Sequence, residues 1–160
     1  LTTRRQRQMC IRDRNISFHY DLGNSFYEKW LDESMTYSSA MFKNPEDNLL
    51  KGQINKYENL ANITGVKEND KILEIGCGWG GFSSFLAKKY SANVTAITIS
   101  KKQYEKAKQK IYDDKLADKV DVKLLDYRNI NGKYDKIVSI EMFEAVGEKY
   151  WSKYLSLIHI

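Results

Sequence analysis

Cysteine is scarce: Cys10 and Cys77 are the only two among 160 residues, too few for a disulfide framework. A reducing, cytoplasmic setting is therefore the default expectation. Nowhere do eighteen apolar residues run together, so no membrane-spanning helix is expected. The opening "LTTRRQRQMCIRDR" lacks the apolar stretch of a secretory signal. No grouping of cysteine with histidine suggests a metal site, and no internal repeat is present. What is there, 42% apolar and 29% charged residues, fits one globular domain with a real core.

Arginine is nearly absent outside one short stretch. Arg4, Arg5, Arg7, Arg12 and Arg14 crowd the first 14 residues, and only Arg128 follows them. The net charge of +5 shrinks to +1 over residues 15–160, so basicity gives a nucleic-acid partner no support. So abrupt a shift sets residues 1–14 apart as a non-native tail. "QMCIRDR" has the look of translated sequencing adapter, as does the closing "LSLIHI" at 155–160. Between them, residues 15–66 read as an N-terminal helical lid segment and 67–154 as an α/β core.

Within the lid segment, "NSFYEKWLD" (24–32) reads as a short helix capped by Asn24 or Ser25. A longer helix is expected from Asn44 as N-cap, with Pro45 at its first position, Glu46 and Asp47 in its first turn and Gly65 after its end. Its apolar face would carry Leu50, Ile54, Tyr57 and Ala61. Beyond Gly65 the pattern alternates. Apolar runs at 71–75, 93–99, 120–125 and 135–140 read as strands, and 80–90, 100–113 and a segment from about 148 as helices. Such alternation implies an α/β fold with a doubly wound, mostly parallel sheet, its ligand at the carboxyl ends of the strands. Four strands are about half of such a sheet, so the chain reads as a fragment.

A glycine turn, "GCGWGG" (76–81), lies at the first strand end. Gly76, Gly78 and Gly81 match the dinucleotide pattern G-x-G-x-x-G, which alone is weak. Glu74 weighs against a pyrophosphate, because two like charges would meet at close range. The ammonium and sulfonium of S-adenosylmethionine reverse that sign, and the glycines permit close backbone approach. The acid expected about 20 residues further on is missing; "TISKKQ" stands there instead. Ser100 and Lys101 keep NADP open as an alternative. Ser100 and Gln103 also form a capping-box pattern.

Three segments, "HYDLGNSFYEKWLDESMTYSSAMF" (19–42), "LEIGCGWGGFSSFLAKKYSANVTAITISKKQ" (73–103) and "YDKIVSIEMFEAVGEKYWSKY" (134–154), together resemble the cyclopropane-fatty-acyl-phospholipid synthases, including the mycolic acid cyclopropane synthases. The resemblance covers about 15–154. It implies a Rossmann-like class I methyltransferase sheet with N-terminal helices over cofactor and acyl chain. The implied reaction moves a methyl group from S-adenosylmethionine to a cis double bond of an unsaturated membrane phospholipid. A bound bicarbonate would then take a proton from the carbocation as the ring closes. The enzyme would be cytoplasmic, touching the membrane transiently, with a homodimer left open.

Carried over by position, the resemblance assigns Tyr37, Ser38, Glu74, Gly76, Cys77, Gly78, Gly80, Thr98, Gln103, Asp126 and Tyr127 to the cofactor. Of these, Thr98 and Gln103 would meet the ribose, and Asp126 and Tyr127 the adenine. Glu144 would hold bicarbonate, together with the backbone of Ser39, which stands where the family often has cysteine. Cys77 reads from the residues alone as a small buried side chain, His19 as orienting the N-terminal helices, and Trp79 as packing or pocket wall. Glu141 has no assigned place. The family's His and second Tyr ligands would lie beyond the last strand, so the fragment itself is expected to be inactive. A small-amine N-methyltransferase, an acyl methyltransferase without ring closure, an NADP oxidoreductase and a non-enzymatic membrane module are the rivals.

Overall fold

The computed structural model describes residues 24–159. A single turn of helix, α1 (Asn24–Tyr27), is followed by an irregular segment and then α2 (Leu49–Thr64). Five elements build most of the α/β part: β1 (Lys71–Ile75), α3 (Gly81–Tyr90), β2 (Asn93–Thr98), α4 (Lys101–Asp113) and β3 (Val120–Leu124). Strand β4 (Lys136–Val138) and helix α5 (Trp151–His159) complete it, with 3-10 turns at Tyr127–Asn129, Phe143–Ala145 and Glu148–Tyr150. The four expected strands are all present. No helix among the described residues is long and apolar enough to cross a membrane.

The sheet order is β3-β2-β1-β4, and every pairing is parallel. Parallel strands need crossover helices, and here these cover both faces. Alternation along β1 shows it: Ile72 packs toward α2, α3 and α4 with Phe82, Leu86 and Ala107. Leu73 and Ile75 point the other way, toward Tyr127, Val146 and Tyr154 of α5. The chain runs outward from β1 to β2 and β3, then returns to place β4 on the other side of β1. That reversal makes the crevice beyond β1 and β4 the place where such sheets bind ligands.

Two boundaries differ from the sequence expectation. The 24–32 segment stays helical only to Tyr27, then turns. Helix α2 begins at Leu49, capped by Asn48, whose side chain accepts the Lys51 amide at 2.9 Å. Asn44 to Asp47 instead forms a turn, closed by the Asp47 amide on the Asn44 carbonyl at 3.1 Å. Proline presets a φ that suits the second position of a turn as well as the first of a helix, and the turn wins here. The Asp47 carboxylate locks it by accepting from the Lys43 and Asn44 amides and from Asn55. Gly65 ends α2 in the left-handed region, as expected.

The buried face of α2 is also less apolar than the pattern suggests. Tyr57 and Ala61 enter the core, whereas Leu50 and Ile54 are half-buried, and Gln53 and Asn55 are buried beside them. Those amides serve the irregular segment: Gln53 donates to the Ser38 carbonyl at 2.8 Å, and Asn55 to that of Met41 at 3.1 Å. Helix α5 runs through residues 155–159, and Leu157 packs against the second core cluster. Replacing Asn48 with alanine is expected to lower stability by about 1 kcal/mol in urea unfolding. Asn44→Ala should cost less than half as much, because it caps no helix.

Candidate active site

Strand β1 delivers Glu74 to the base of the crevice, on the same face as Ile72. Only 4% of it is exposed, and its carboxyl group accepts from the hydroxyl and the amide of Ser83 on α3. Burial pushes its pKa up to about 7, which the two Ser83 bonds only partly oppose. With no positive neighbour among the described residues, this acid is half-protonated near neutrality.

Above it the chain makes the glycine turn, pinned by the Gly76 and Cys77 amides on the Ile97 carbonyl at 2.9 and 3.0 Å. Gly78 has a φ of 54°, and a Cβ there would meet nothing within 4 Å. Of the four glycines in this turn it is the one with open space beside it. Gly81 is needed for a different reason: a Cβ would fall 2.7 Å from the Tyr57 hydroxyl and 2.9 Å from that of Thr36. These two hydroxyls are hydrogen-bonded to each other, so the lid segment and α2 are keyed against the turn.

A cavity of about 750 Å³ opens over this turn. Among the residues singled out from the sequence, Tyr37, Ser38, Glu74, Gly76, Cys77, Gly78, Thr98, Gln103, Asp126, Tyr127 and Glu144 all line it. Gly80 does not. It caps α3 with a φ of 82°, and its missing side chain makes room for Ala107 instead. Ser39 is not in the lining either; its amide donates to a carboxylate oxygen of Glu141 at 2.9 Å. His19, Phe18 and Tyr20 lie outside the described residues.

The ends of β2 and β3 supply two ordered polar groups. The Thr98 hydroxyl donates to Gln103 Oε1 at 2.8 Å and accepts the Ser100 amide at 3.1 Å. Ser100 caps α4 through the Gln103 amide, but the Gln103 side chain turns to Thr98 rather than back to Ser100. Only half of the expected capping box forms, and Gln103 is held facing the cavity. Asp126 receives the Arg128 amide at 2.8 Å and the guanidinium on both oxygens. Burial raises the Asp126 pKa, but the Arg128 bonds outweigh it and hold the carboxyl below its usual range. Tyr127 packs edge-on to Tyr154 at 5.1 Å, so it is core as well as lining.

Tyr37 is 44% exposed and meets Tyr27 and Trp30 edge-on, while Ser38 Oγ accepts from Lys56 Nζ at 2.5 Å. Trp79 is wall: it is buried against Tyr27 at 4.9 Å between ring centres. Burial, then the nearby Glu74, keeps the Cys77 thiol protonated, which suits a small packing residue and not a nucleophile. Glu144 sits exposed in the 3-10 turn after β4. Sequence reading missed Arg128, although it follows Asp126 and Tyr127 directly, and Tyr57, whose helical spacing marked it only as core. It also left Glu141 unplaced; the structure puts it in the cavity wall.

Residues 7–160 match the family described as mycolic acid cyclopropane synthetase. The chain belongs to that family. A protein of Pseudomonas putida described as a probable fatty acid methyltransferase is 44% identical over 134 residues, covering 82% of this chain and 34% of that protein. The cyclopropane-fatty-acyl-phospholipid synthase of Escherichia coli K12 is 37% identical over 142 residues, covering 88% of this chain and 35% of the relative. Among solved structures, the mycolic acid cyclopropane synthase CmaA1, complexed with SAH and CTAB, superposes with a TM-score of 0.86 at 32% identity. That match takes in 92% of this chain and 52% of the other. This member of the cyclopropane synthetase family thus spans about a third of the length of these curated relatives. Its fold is the Rossmann-like sheet of the class I methyltransferases.

The raised Glu74 pKa has a measurable consequence. In the unfolded chain this acid ionises near 4.5, in the fold near 7, so its contribution to stability is full at low pH and is lost as pH rises across that window. Glu74→Gln removes the loss. Thermal unfolding should show the variant equal to or below the parent at pH 4.5 and above it at pH 8.

Proposed function

We propose that the protein binds S-adenosylmethionine and is part of an enzyme that transfers its methyl group to the double bond of an unsaturated acyl chain. The observation that carries this is Glu74, a buried acid without a positive partner among the described residues, lying under a glycine turn that opens into the cavity. A cationic ligand there would restore its charge; a pyrophosphate would repel it. When bound, S-adenosylmethionine supplies an electrophilic methyl group on a sulfonium centre. Glu74 then faces the positive amino-acid end, and Gly78 gives the backbone access to it. Thr98 and Gln103 offer a fixed polar pair to the ribose, and Asp126 with Tyr127 an acceptor and a ring to the adenine.

The remaining wall suits an alkene better than an amine. Met35, Ile75, Phe82, Ile97, Ile99 and Met142 contribute apolar surface, which aligns a chain and keeps water out. Glu144, on the loop after β4, is the carboxylate we assign to the developing positive charge. Exposed Phe26, Trp30, Met41 and Phe42 in the lid segment support transient contact with a lipid surface and so a phospholipid substrate. Bicarbonate does not fit the described residues. Of the groups that the resemblance assigns to it, they bring only the Glu144 carboxylate and the Ser39 amide, and Glu141 already holds that amide.

Calorimetric titration in two buffers of different ionisation enthalpy tests the cofactor assignment. S-adenosylmethionine should bind near pH 6.5 with release of a fraction of a proton, as Glu74 gives up its hydrogen. Glu74→Gln should abolish the release and weaken binding by about tenfold or more. Tighter binding of NADP than of S-adenosylhomocysteine would overturn the assignment. For the acceptor, a full-length relative given labelled cofactor with phospholipid vesicles and a small amine should place the label in lipid; label in the amine would remove the acyl reading.

A further inference from the structure

Glu141 has a backbone that its side chain does not explain. Its φ of 46° is in the left-handed region, which glutamate enters at a cost and which asparagine or glycine would occupy more readily. The residue sits in the wall of the cavity just after β4, and its carboxylate reaches a chain segment 102 residues away. There it accepts the Ser39 amide at 2.9 Å, although both residues are exposed.

Residues 36–38 line the cavity; the Thr36 hydroxyl meets that of Ser34 at 2.6 Å, and several further hydrogen bonds lead to α2. Gln53 holds the Thr36 and Ser38 carbonyls, Tyr57 the Thr36 hydroxyl, and Lys56 the Ser38 hydroxyl. The Ser39 bond has a different destination: it carries the segment across to the carboxyl end of the sheet. Lys56 lies within the field of the same carboxylate. Burial lowers the Lys56 pKa to about 8, and Glu141 and then Asp32 oppose the drop. Glu141 is therefore drawn to this segment by both an amide and an ammonium.

We propose that Glu141 is a positioning residue: its carboxylate latches residues 36–39 over the cavity, holds Tyr37 and Ser38 against a bound ligand, and must release the Ser39 amide before that ligand leaves. The left-handed backbone is the conformation that aims the carboxylate at the strap. The effect on ligand depends on the cofactor assignment proposed above; the latch itself does not.

Hydrogen exchange and ligand release separate the two. In the ligand-free parent the Ser39 amide should be protected despite its exposure, and Glu141→Ala should speed its exchange about tenfold. S-adenosylhomocysteine, followed by the fluorescence of Trp79 in the cavity wall, should dissociate about tenfold faster from the same variant. Glu141→Gln keeps a carbonyl acceptor and should stay within about threefold of the parent in both measurements. Glu141→Gly should unfold at a higher temperature, because its backbone strain is gone, yet lose ligand as fast as the alanine variant. Unchanged Ser39 exchange in Glu141→Ala overturns the latch, and slow dissociation from the glycine variant overturns its role in ligand retention. Should the parent itself bind no S-adenosylhomocysteine, the cofactor assignment fails while Ser39 exchange still judges the latch.

Discussion

The burial of one carboxyl group organises this molecule. Glu74 is at the end of a strand flanked on both sides by other strands, and on its own face Ser83 closes over it. An acid in that setting is costly unless hydrogen bonds or a positive charge accompany it. Ser83 supplies the first, and its place on the opening turn of α3 follows from the glycine turn that separates strand from helix. The second is left for a ligand. The turn, the helix that follows it and the cavity above are thus all arranged around a group that the fold alone leaves incompletely compensated.

The sheet's reversal at β1 does the rest of the positioning. It places the loops after β1, β2, β3 and β4 around one opening, so that Thr98 with Gln103, Asp126 with Arg128, and Glu144 arrive from different parts of the chain. Two of these polar groups are fixed by a neighbour before any ligand enters: Thr98 orients Gln103, and Arg128 orients Asp126. Such preorganisation reduces what binding must order. The irregular segment before α2 is held in another way, by α2 side chains that reach the carbonyls of Thr36, Ser38 and Met41 and the hydroxyl of Ser38.

Much of this was legible in the chain, and what was not has a common cause. The strand at 71–75 announced itself through Ile72, Leu73 and Ile75, apolar residues that fall on both faces because both faces are buried. The acid before the glycines was visible for the opposite reason, as a charge where the sheet should be dry. Asn44, followed by proline and two acids, carried every mark of the cap, and only the turn locked by Asp47 moves the helix start on to Leu49 with Asn48 as its cap. The burial of Gln53 and Asn55 could not be read from the apolar pattern of α2, since their partners are carbonyls of an irregular segment that no periodicity reveals. Glu141 was unreadable because the amide it serves is more than a hundred positions earlier.

The contact of Tyr57 with Gly81 carries a constraint on change. The phenol and the bare backbone share a space too small for one methyl group, so neither site can drift alone. An alanine at 81 would demand a shorter residue at 57, and that residue would abandon the threonine hydroxyl at 36. These three positions form one steric and hydrogen-bonded unit, through which α2 and the irregular segment before it are tied to the turn between β1 and α3.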